Sequence, residues 1–527
     1  MRILAAEAIA GEGLEKLRAE HEVDERIGLS RAELCAILPD YDALLVRSQV
    51  QADAELIAAG TNLQVIGRAG VGVDNVDLEA ATKAGIVVVN APTGNTIAAA
   101  VHTLALLYGV ARRIAPADAS LRRGEWKRAQ FTGTELRGKT LGIVGLGKIG
   151  QAIAVRARAM EMTVLAADPY VTDEQAANLG VELVTFDELL PRVDVLSVHV
   201  PMTRSTKGLI GTAALARMKP TAILLNVARG GVVDEAAVAD ALREGRLGAA
   251  AIDVFEQEPP TGSPLLEAPN TLLTPHLGAS TAEAQVAVAE EVADQVLDVL
   301  AGRPARYAVN APLVTPETAA AIAPYLPLAE TLGRFVAQFV RSAPRTLTVD
   351  VAGDIAAFDS TPLVAATLRG LLGTSTTERI NLVNAAAVAK ARGINVVQRR
   401  SPSAGAYAGV LTLTAEGGGR SATVAGTVAA GEPRLVRLDD YRLDMEPTDV
   451  MLITRHRDRP GMIGRIGTLL GEADVNISAM HVARSSPRAD AFMILALDED
   501  PPATVSDTIR TTEAIIDLWT IRLAQDH

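Results

Sequence analysis

Apolar residues fall along this chain in two rhythms. Short, mostly aliphatic runs at Ile3–Ala5, Ala43–Val46, Gln64–Gly67, Val87–Val89, Thr140–Val144, Thr163–Ala167, Val193–Val198, Ala222–Asn226 and Ala249–Asp253 read as buried strands. Between them, helical spacing marks Asn95–Arg113, the Ala-rich stretch up to Met160, Thr212–Arg217, Asp234–Glu244 and Thr281–Ala301. Strands alternating with helices predict α/β architecture: two doubly wound parallel-sheet units, one before residue 97 and one from Lys139 onward. The pattern changes after Ala311. Up to about Pro447 the chain is rich in Ala, Thr and Gly, and Thr346–Ala352, Gly409–Thr414 and Ser421–Val428 read as strands joined by Gly-rich turns, an α+β domain without evident chemistry. From Asp449 the predicted order is strand 450–454, helix 463–471, strand 477–484, strand 491–497, helix 504–516 and strand 519–523. That β-α-β-β-α-β order is ferredoxin-like.

A length of 527 residues suits three or four such domains. The net charge of −13 argues against a nucleic-acid or anionic-membrane partner, although local arginine clusters can still hold a small anion. The one cysteine, Cys35, excludes an intrachain disulfide and a multi-cysteine metal site; no metal is expected, and a reducing, cytoplasmic compartment is. Glu7 interrupts the N-terminal apolar run early, which favours a strand over a signal peptide. Ile97–Ala111 is too short for a membrane span and contains His102, so it reads as a core or interface helix.

Chemistry first becomes visible at the strand Thr140–Val144. Gly145, Gly147 and Gly150 follow it at G-x-G-x-x-G spacing, then a helix, a second strand and Asp168. In a dinucleotide site the first glycine makes the turn, the second lets backbone approach a pyrophosphate, and the third lets helix and strand pack closely. The helix N-terminus attracts phosphate, and a carboxylate some 20 residues on accepts ribose hydroxyls. Asp168 would repel a 2′-phosphate, so NAD is expected rather than NADP.

Loops leaving strand C-termini are where open α/β sheets bind ligands. Two leave the first unit: Arg47-Ser48, and G-R-A-G-V-G-V-D-N with Arg68, Gly70, Val71 and Gly72. They are either tight turns with surface arginines or a pocket for a small anion. Three more lie beyond strands of the second unit: N-V-A-R-G-G with Arg229, D-V-F-E-Q-E-P-P with Glu256 and Glu258, and T-P-H-L-G-A-S-T with His276. Oxidising a secondary alcohol by hydride transfer needs a proton acceptor, a cation to orient the acid, and a nicotinamide beside the reacting carbon. His276 can be the base, Glu258 can fix its tautomer and stabilise the imidazolium, and Arg229 can grip a carboxylate through two parallel N–H bonds. On spacing alone, Arg229 could equally be a surface charge, Glu256 competes with Glu258, and His199 in S-V-H-V-P is another strand-end imidazole.

L-G-I-V-G-L-G-K-I-G, N-V-A-R-G-G, F-E-Q-E-P and P-H-L-G-A-S-T together resemble the D-isomer-specific 2-hydroxyacid dehydrogenases. G-R-A-G-V-G-V-D-N, G-T-E-L-R-G-K and the extended C-terminal half resemble its long-form members that act on a phosphorylated 2-hydroxy acid. The resemblance implies NAD-dependent oxidation of 3-phospho-D-glycerate to 3-phosphooxypyruvate, opening L-serine biosynthesis. It implies a substrate domain of residues 1–97 with 280–308, hinged near Asn95 and Gly278 to an NAD domain of residues 98–279. An intervening regulatory domain, 309–448, and an ACT domain, 449–527, would follow. Arg229, Glu258 and His276 match the catalytic set. Gly145, Gly147, Lys148, Ile149, Gly150, Asp168, Ala228, Arg229, Asp253, His276, Gly278 and Ala279 match cofactor positions. Arg47, Ser48, Arg68, Gly70, Val71, Gly72 and Asn95 match the substrate site, with Arg128 reaching a neighbouring subunit. Asp458 and Asn476 match the effector contacts for L-serine; His456 stands where some relatives carry an aromatic residue. A homodimer or homotetramer is expected. The same resemblance admits a reductase of glyoxylate, hydroxypyruvate or 2-oxoglutarate, and a non-catalytic NAD-sensing scaffold.

Overall fold

The computed structural model describes residues 1–303, 305–311, 316–374 and 380–523. The first sheet has five parallel strands in the order Glu22–Glu25, Arg2–Ala5, Ala43–Val46, Val65–Arg68, Val87–Asn90. The edge strand Glu22–Glu25 carries three acids and no apolar run. Only its pairing with Arg2–Ala5 makes it a strand, so periodicity could not find it. The helix Ala282–Leu300, capped by the Thr281 hydroxyl, returns to this sheet. It lies so near the helix Gly11–Arg18 that a Cβ on Gly13 would come within 2.7 Å of Ala289.

The second sheet has seven parallel strands in the order Thr271–Leu273, Ala249–Ile252, Ile223–Asn226, Val195–Val198, Thr140–Val144, Thr163–Ala167, Glu182–Leu183. Its order reverses between Thr140–Val144 and Val195–Val198, so the glycine turn sits at the switch point, where a crevice opens. The helix Thr96–Ala111 packs on this sheet and on the helix Lys148–Ala159 through Ala100, Leu104 and Leu107. Its other face leaves Ile97, Val101 and Tyr108 exposed. Among the described residues no single helix is long and apolar enough to cross a membrane.

The third sheet is mixed, in the order Asn395–Ser401, Thr346–Gly353, Gly409–Gly417, Arg420–Ala429, Glu432–Leu438, Tyr441–Met445. Two helices, Tyr325–Val340 and Thr361–Gly373, cover it. They approach closely because Gly333 and Gly370 lack side chains: a Cβ at either would come within 2.1 Å of the facing backbone. The last sheet is antiparallel, in the order Ile477–Arg484, Asp490–Leu497, Val450–Arg457, Ile515–Arg522, the ferredoxin-like arrangement. Here one expectation fails. The final helix is Ala503–Thr511 and does not reach Ile516; Thr512 is extended, Ala514 has φ +78°, and Ile515 already pairs with His456. Pairing with a central strand outweighs helical periodicity in this stretch.

Candidate active site

The glycine turn has the geometry a dinucleotide requires. Gly145 has φ +94°, and a Cβ there would meet the His199 carbonyl at 2.7 Å. A Cβ on Gly150 would lie 2.3 Å from the Gly145 carbonyl oxygen, whereas Gly147 faces open space. The helix starting at Lys148 has no side-chain cap, which leaves its first N–H groups for an anion. Asp168 accepts the N–H groups of Leu146 and Tyr170, each at 2.8 Å, so its carboxylate stands beside the turn. These residues fit NAD.

Asp253 directly follows the strand Ala249–Ile252 and is fully buried. It accepts the Thr274 hydroxyl at 2.6 Å and the N–H groups of Leu277 and Gly278 at 2.8 and 2.9 Å. Burial alone would raise its carboxyl; hydrogen bonds from His102, Thr274 and Leu277 outweigh that and hold it below the usual carboxylate range. Its carbonyl accepts the His276 N–H at 2.9 Å. His276, at φ +54°, turns its Nδ1 to within 2.8 Å of Glu258 Oε2. The other Glu258 oxygen accepts the Phe255 N–H, which fixes the carboxylate. Of the two competing acids, Glu258 is the partner; Glu256 instead donates its N–H to Glu235. His276 and Glu258 remain 46% and 39% exposed, open to the cleft. His199 is a different case. Its ring lies 2.7 Å from Ser197 Oγ, and burial drives its pKa down to about 3, so it stays neutral.

The arginines converge from the other side. Arg229 donates from Nε to Asp74 at 3.1 Å, across the cleft between the two sheets. A Cβ on Gly72 would strike the Arg229 guanidinium at 2.1 Å, and one on Gly70 would strike Arg68 at 1.5 Å. The two glycines leave room for both guanidiniums, and Gly70 also takes a φ of +156°. Arg68 is largely buried; desolvation and then the Arg229 charge bring its pKa down to about 10, and its Nε has no hydrogen-bond partner among the described residues. Arg47 adds to that field. Its loop with Ser48 is tied by Glu7, which accepts the N–H groups of Arg47, Gln49 and Val50, and by the Asn75 amide, which donates to the Arg47 carbonyl. The Val71 carbonyl is held by the Asn90 amide. Asn95 stands at the N-terminus of the Thr96 helix with a buried Oδ1 that has no hydrogen-bond partner among the described residues, and Ala228 donates its N–H to Asn226. Ile149 lies in the first turn of the dinucleotide helix and Ala279 just beyond Gly278. Arg128 sits on the exposed turn Arg128–Phe131, and within the described residues no interaction joins it to the other arginines.

Sequence reasoning missed Glu7, Asp74, His102 and Thr274. Each is placed by a fold-dependent contact; Glu7, Asp74 and Thr274 follow strands, whereas His102 lies mid-helix and carries no local signal. At the C-terminal unit, Asp458 is already paired with Arg484 at 2.9 Å, and the Asn476 amide donates to Asp498 at 2.6 Å. His456 is buried against Thr454, and burial lowers its pKa. Among the described residues no group of three or more His, Cys, Asp or Glu is arranged for a metal.

Comparison with known proteins decides the family. A relative named D-3-phosphoglycerate dehydrogenase from Synechocystis sp. is 47% identical over 525 residues, 99% of this chain and 95% of its own length. The chain belongs to the D-3-phosphoglycerate dehydrogenase family. One from Archaeoglobus fulgidus is 43% identical over 99% of this chain and 100% of its own. Residues 104–278 match the D-isomer specific 2-hydroxyacid dehydrogenase NAD binding domain, 321–439 the D-3-phosphoglycerate dehydrogenase intervening domain, and 450–513 the ACT domain. Among solved structures, a glyoxylate reductase from Paecilomyes thermophila is 31% identical with a TM-score of 0.54, covering 59% of this chain and 98% of that one. A Staphylococcus aureus formate dehydrogenase in complex with NAD is 31% identical with a TM-score of 0.52, covering 58% and 97%.

Proposed function

We infer that this protein oxidises 3-phospho-D-glycerate to 3-phosphooxypyruvate with NAD, the entry reaction of L-serine biosynthesis. One observation carries the chemistry: His276, bonded to Glu258 at 2.8 Å, on the same sheet edge as the glycine turn and Arg229. NAD, when bound, supplies the hydride acceptor. Arg229 holds the substrate carboxylate with two N–H bonds and orients the C2 hydroxyl toward His276. Nε2 of His276 takes the hydroxyl proton, and Glu258 stabilises the imidazolium that forms. Arg47 and Arg68 meet the phosphate, with Arg128 contributed from a neighbouring subunit. Relatives named for phosphoglycerate at 40–47% identity favour this over glyoxylate, hydroxypyruvate or 2-oxoglutarate, and a sensor would have no use for a proton acceptor.

Residues 1–97 with 280–308 form the substrate side and 98–279 the NAD side; 309–448 and 449–527 are regulatory. The exposed apolar stripe Ile97, Val101 and Tyr108 supports self-association as a dimer or tetramer. L-serine is the proposed effector at Asp458 and Asn476, where its ammonium would compete with Arg484 for Asp458. The half-exposed Cys35 suits a reducing, cytoplasmic setting.

The test is NADH production from 3-phospho-D-glycerate by the purified protein. His276→Ala should lower kcat by on the order of 10²–10⁴; undiminished turnover would remove the assigned base. Neutralising Arg47 and Arg68 should raise KM for the phosphorylated acid far more than for unphosphorylated 2-hydroxy acids. Equal losses on both would move the assignment to another member of the family.

A further inference from the structure

Three consecutive backbone N–H groups, those of His276, Leu277 and Gly278, are all fastened to one residue, Asp253: the first to its carbonyl and the others to its two carboxylate oxygens. The loop needs this tether, because His276 is held at φ +54°, a region that side-chain-bearing residues avoid. Asp253 in turn is gripped from a distant element. His102, on the helix Thr96–Ala111, brings Nε2 to 3.1 Å from Asp253 Oδ1 and 3.2 Å from Thr274 Oγ.

The hydrogen in this bond can be assigned. Both carboxylate oxygens already accept donors, and the Thr274 hydroxyl spends its own hydrogen on Oδ1 at 2.6 Å. Neither neighbour has a hydrogen left to offer, so Nε2 of His102 is the donor. We propose that His102 is a positioning residue, which by donating from Nε2 to Asp253 keeps the His276–Gly278 turn in the shape that aims the catalytic imidazole. His102 touches neither substrate nor cofactor in this reading; it acts through Asp253. The inference rests on the assignment of His276 as the base.

The experiment compares wild type, His102→Leu, His102→Gln, Thr274→Val and the Leu/Val double variant as full-length proteins. Leucine fills the space without a donor, whereas glutamine restores an N–H near the Nε2 position. His102→Leu should lower kcat by about 10- to 100-fold with KM for 3-phospho-D-glycerate within about threefold of wild type, since a misaimed group costs turnover rather than binding. His102→Gln should recover turnover to within about fivefold of wild type. The double variant should lose less than the product of the single losses, because both residues hold the same oxygen. Amide exchange at Leu277 and Gly278 should quicken by about tenfold in His102→Leu and much less in His102→Gln.

Equal losses in the leucine and glutamine variants would mean that His102 only packs, and would overturn the proposal. So would a leucine variant within twofold of wild type in turnover. Melting temperatures show whether His102→Leu folds; if it does not, Thr274→Val alone must show the faster exchange, and unchanged exchange there overturns the tether. A wild type without activity, or an active His276→Ala variant, would instead sink the assignment of the base. The exchange measurement would still judge the tether in that case, since it needs no turnover.

Discussion

Arg229 and Asp74 meet across the cleft, Nε to Oδ2 at 3.1 Å, one from each of the two parallel-sheet units. Asp74 is 70% exposed and Arg229 28%, so the pair sits at the mouth rather than the floor of the site. In the proposed reaction the substrate carboxylate would take the place of Asp74 on that guanidinium. Only a planar fork can bind the incoming acid through two parallel N–H bonds, which a lysine ammonium cannot do. Arg229→Lys is therefore expected to lower kcat/KM by on the order of 10²-fold, the scale of losing one hydrogen bond to a charged group. Steady-state kinetics with 3-phospho-D-glycerate check this, and a loss under threefold would mean that Arg229 does not bind the acid.

Two of the glycines of the turn should fail in different ways. A methyl on Gly150 would sit 2.3 Å from the Gly145 carbonyl oxygen, so helix and strand would have to part. Gly150→Ala should cost about 1–3 kcal/mol of stability and lower the melting temperature. Gly147 has nothing within 4 Å and an extended backbone that alanine accepts. Gly147→Ala should melt like wild type yet bind NAD at least about tenfold more weakly, because the methyl occupies the path of the pyrophosphate. Melting curves and NADH fluorescence titrations separate the two, and a Gly147→Ala protein with normal NAD affinity would contradict the placement of the cofactor.

His199 gives a pH signature. Its pKa in the fold is about 3 because burial disfavours the imidazolium, against 6.5 when exposed. The unfolded chain thus binds a proton that the folded chain refuses. Stability from this residue is complete above pH 6.5 and drains away as pH falls toward 3, at up to about 1.4 kcal/mol per pH unit. His199→Gln, which cannot titrate, should show a shallower loss of unfolding free energy between pH 6 and 4.5. Parallel slopes for the two proteins would show that the ring reaches solvent.

The readable part of this molecule was the part written in local motifs. Arg229, Glu258 and His276 each follow a strand within a few residues, so topology alone carries them to one edge. Asp253 and His102 are 151 positions apart, and Asp74 and Arg229 155, so no local pattern could pair them. The helices Tyr325–Val340 and Thr361–Gly373 escaped for another reason. Pro327, Gly333 and Gly370 weaken the helical signal, yet the two glycines are present because the helices touch there. The final helix was overextended because the segment after Thr511 has apolar spacing suited to either state, and strand pairing decided it.

The intervening and ACT units share one core, and this yields the last prediction. Phe335 and Phe339 on the helix Tyr325–Val340 pack with Phe492 and Trp519 of the ACT sheet; Phe339 and Trp519 stack with ring centroids 4.6 Å apart. The Trp519 indole N–H donates to the Phe339 carbonyl at 2.9 Å, and Arg334 and Gln338 bond the carbonyls of Leu523 and Arg522. Removing the ACT unit would strip Phe339 of its contacts with Phe492 and Trp519 and bare apolar surface on that helix. Trp519→Ala should cost about 3–5 kcal/mol and lower the melting of both units in a single transition. A chain cut before Asp449 should aggregate for the same reason. If that truncated chain were monodisperse and kept its helical content by circular dichroism, the shared core would be incidental, and signals from the ACT unit would have to pass through the linker alone.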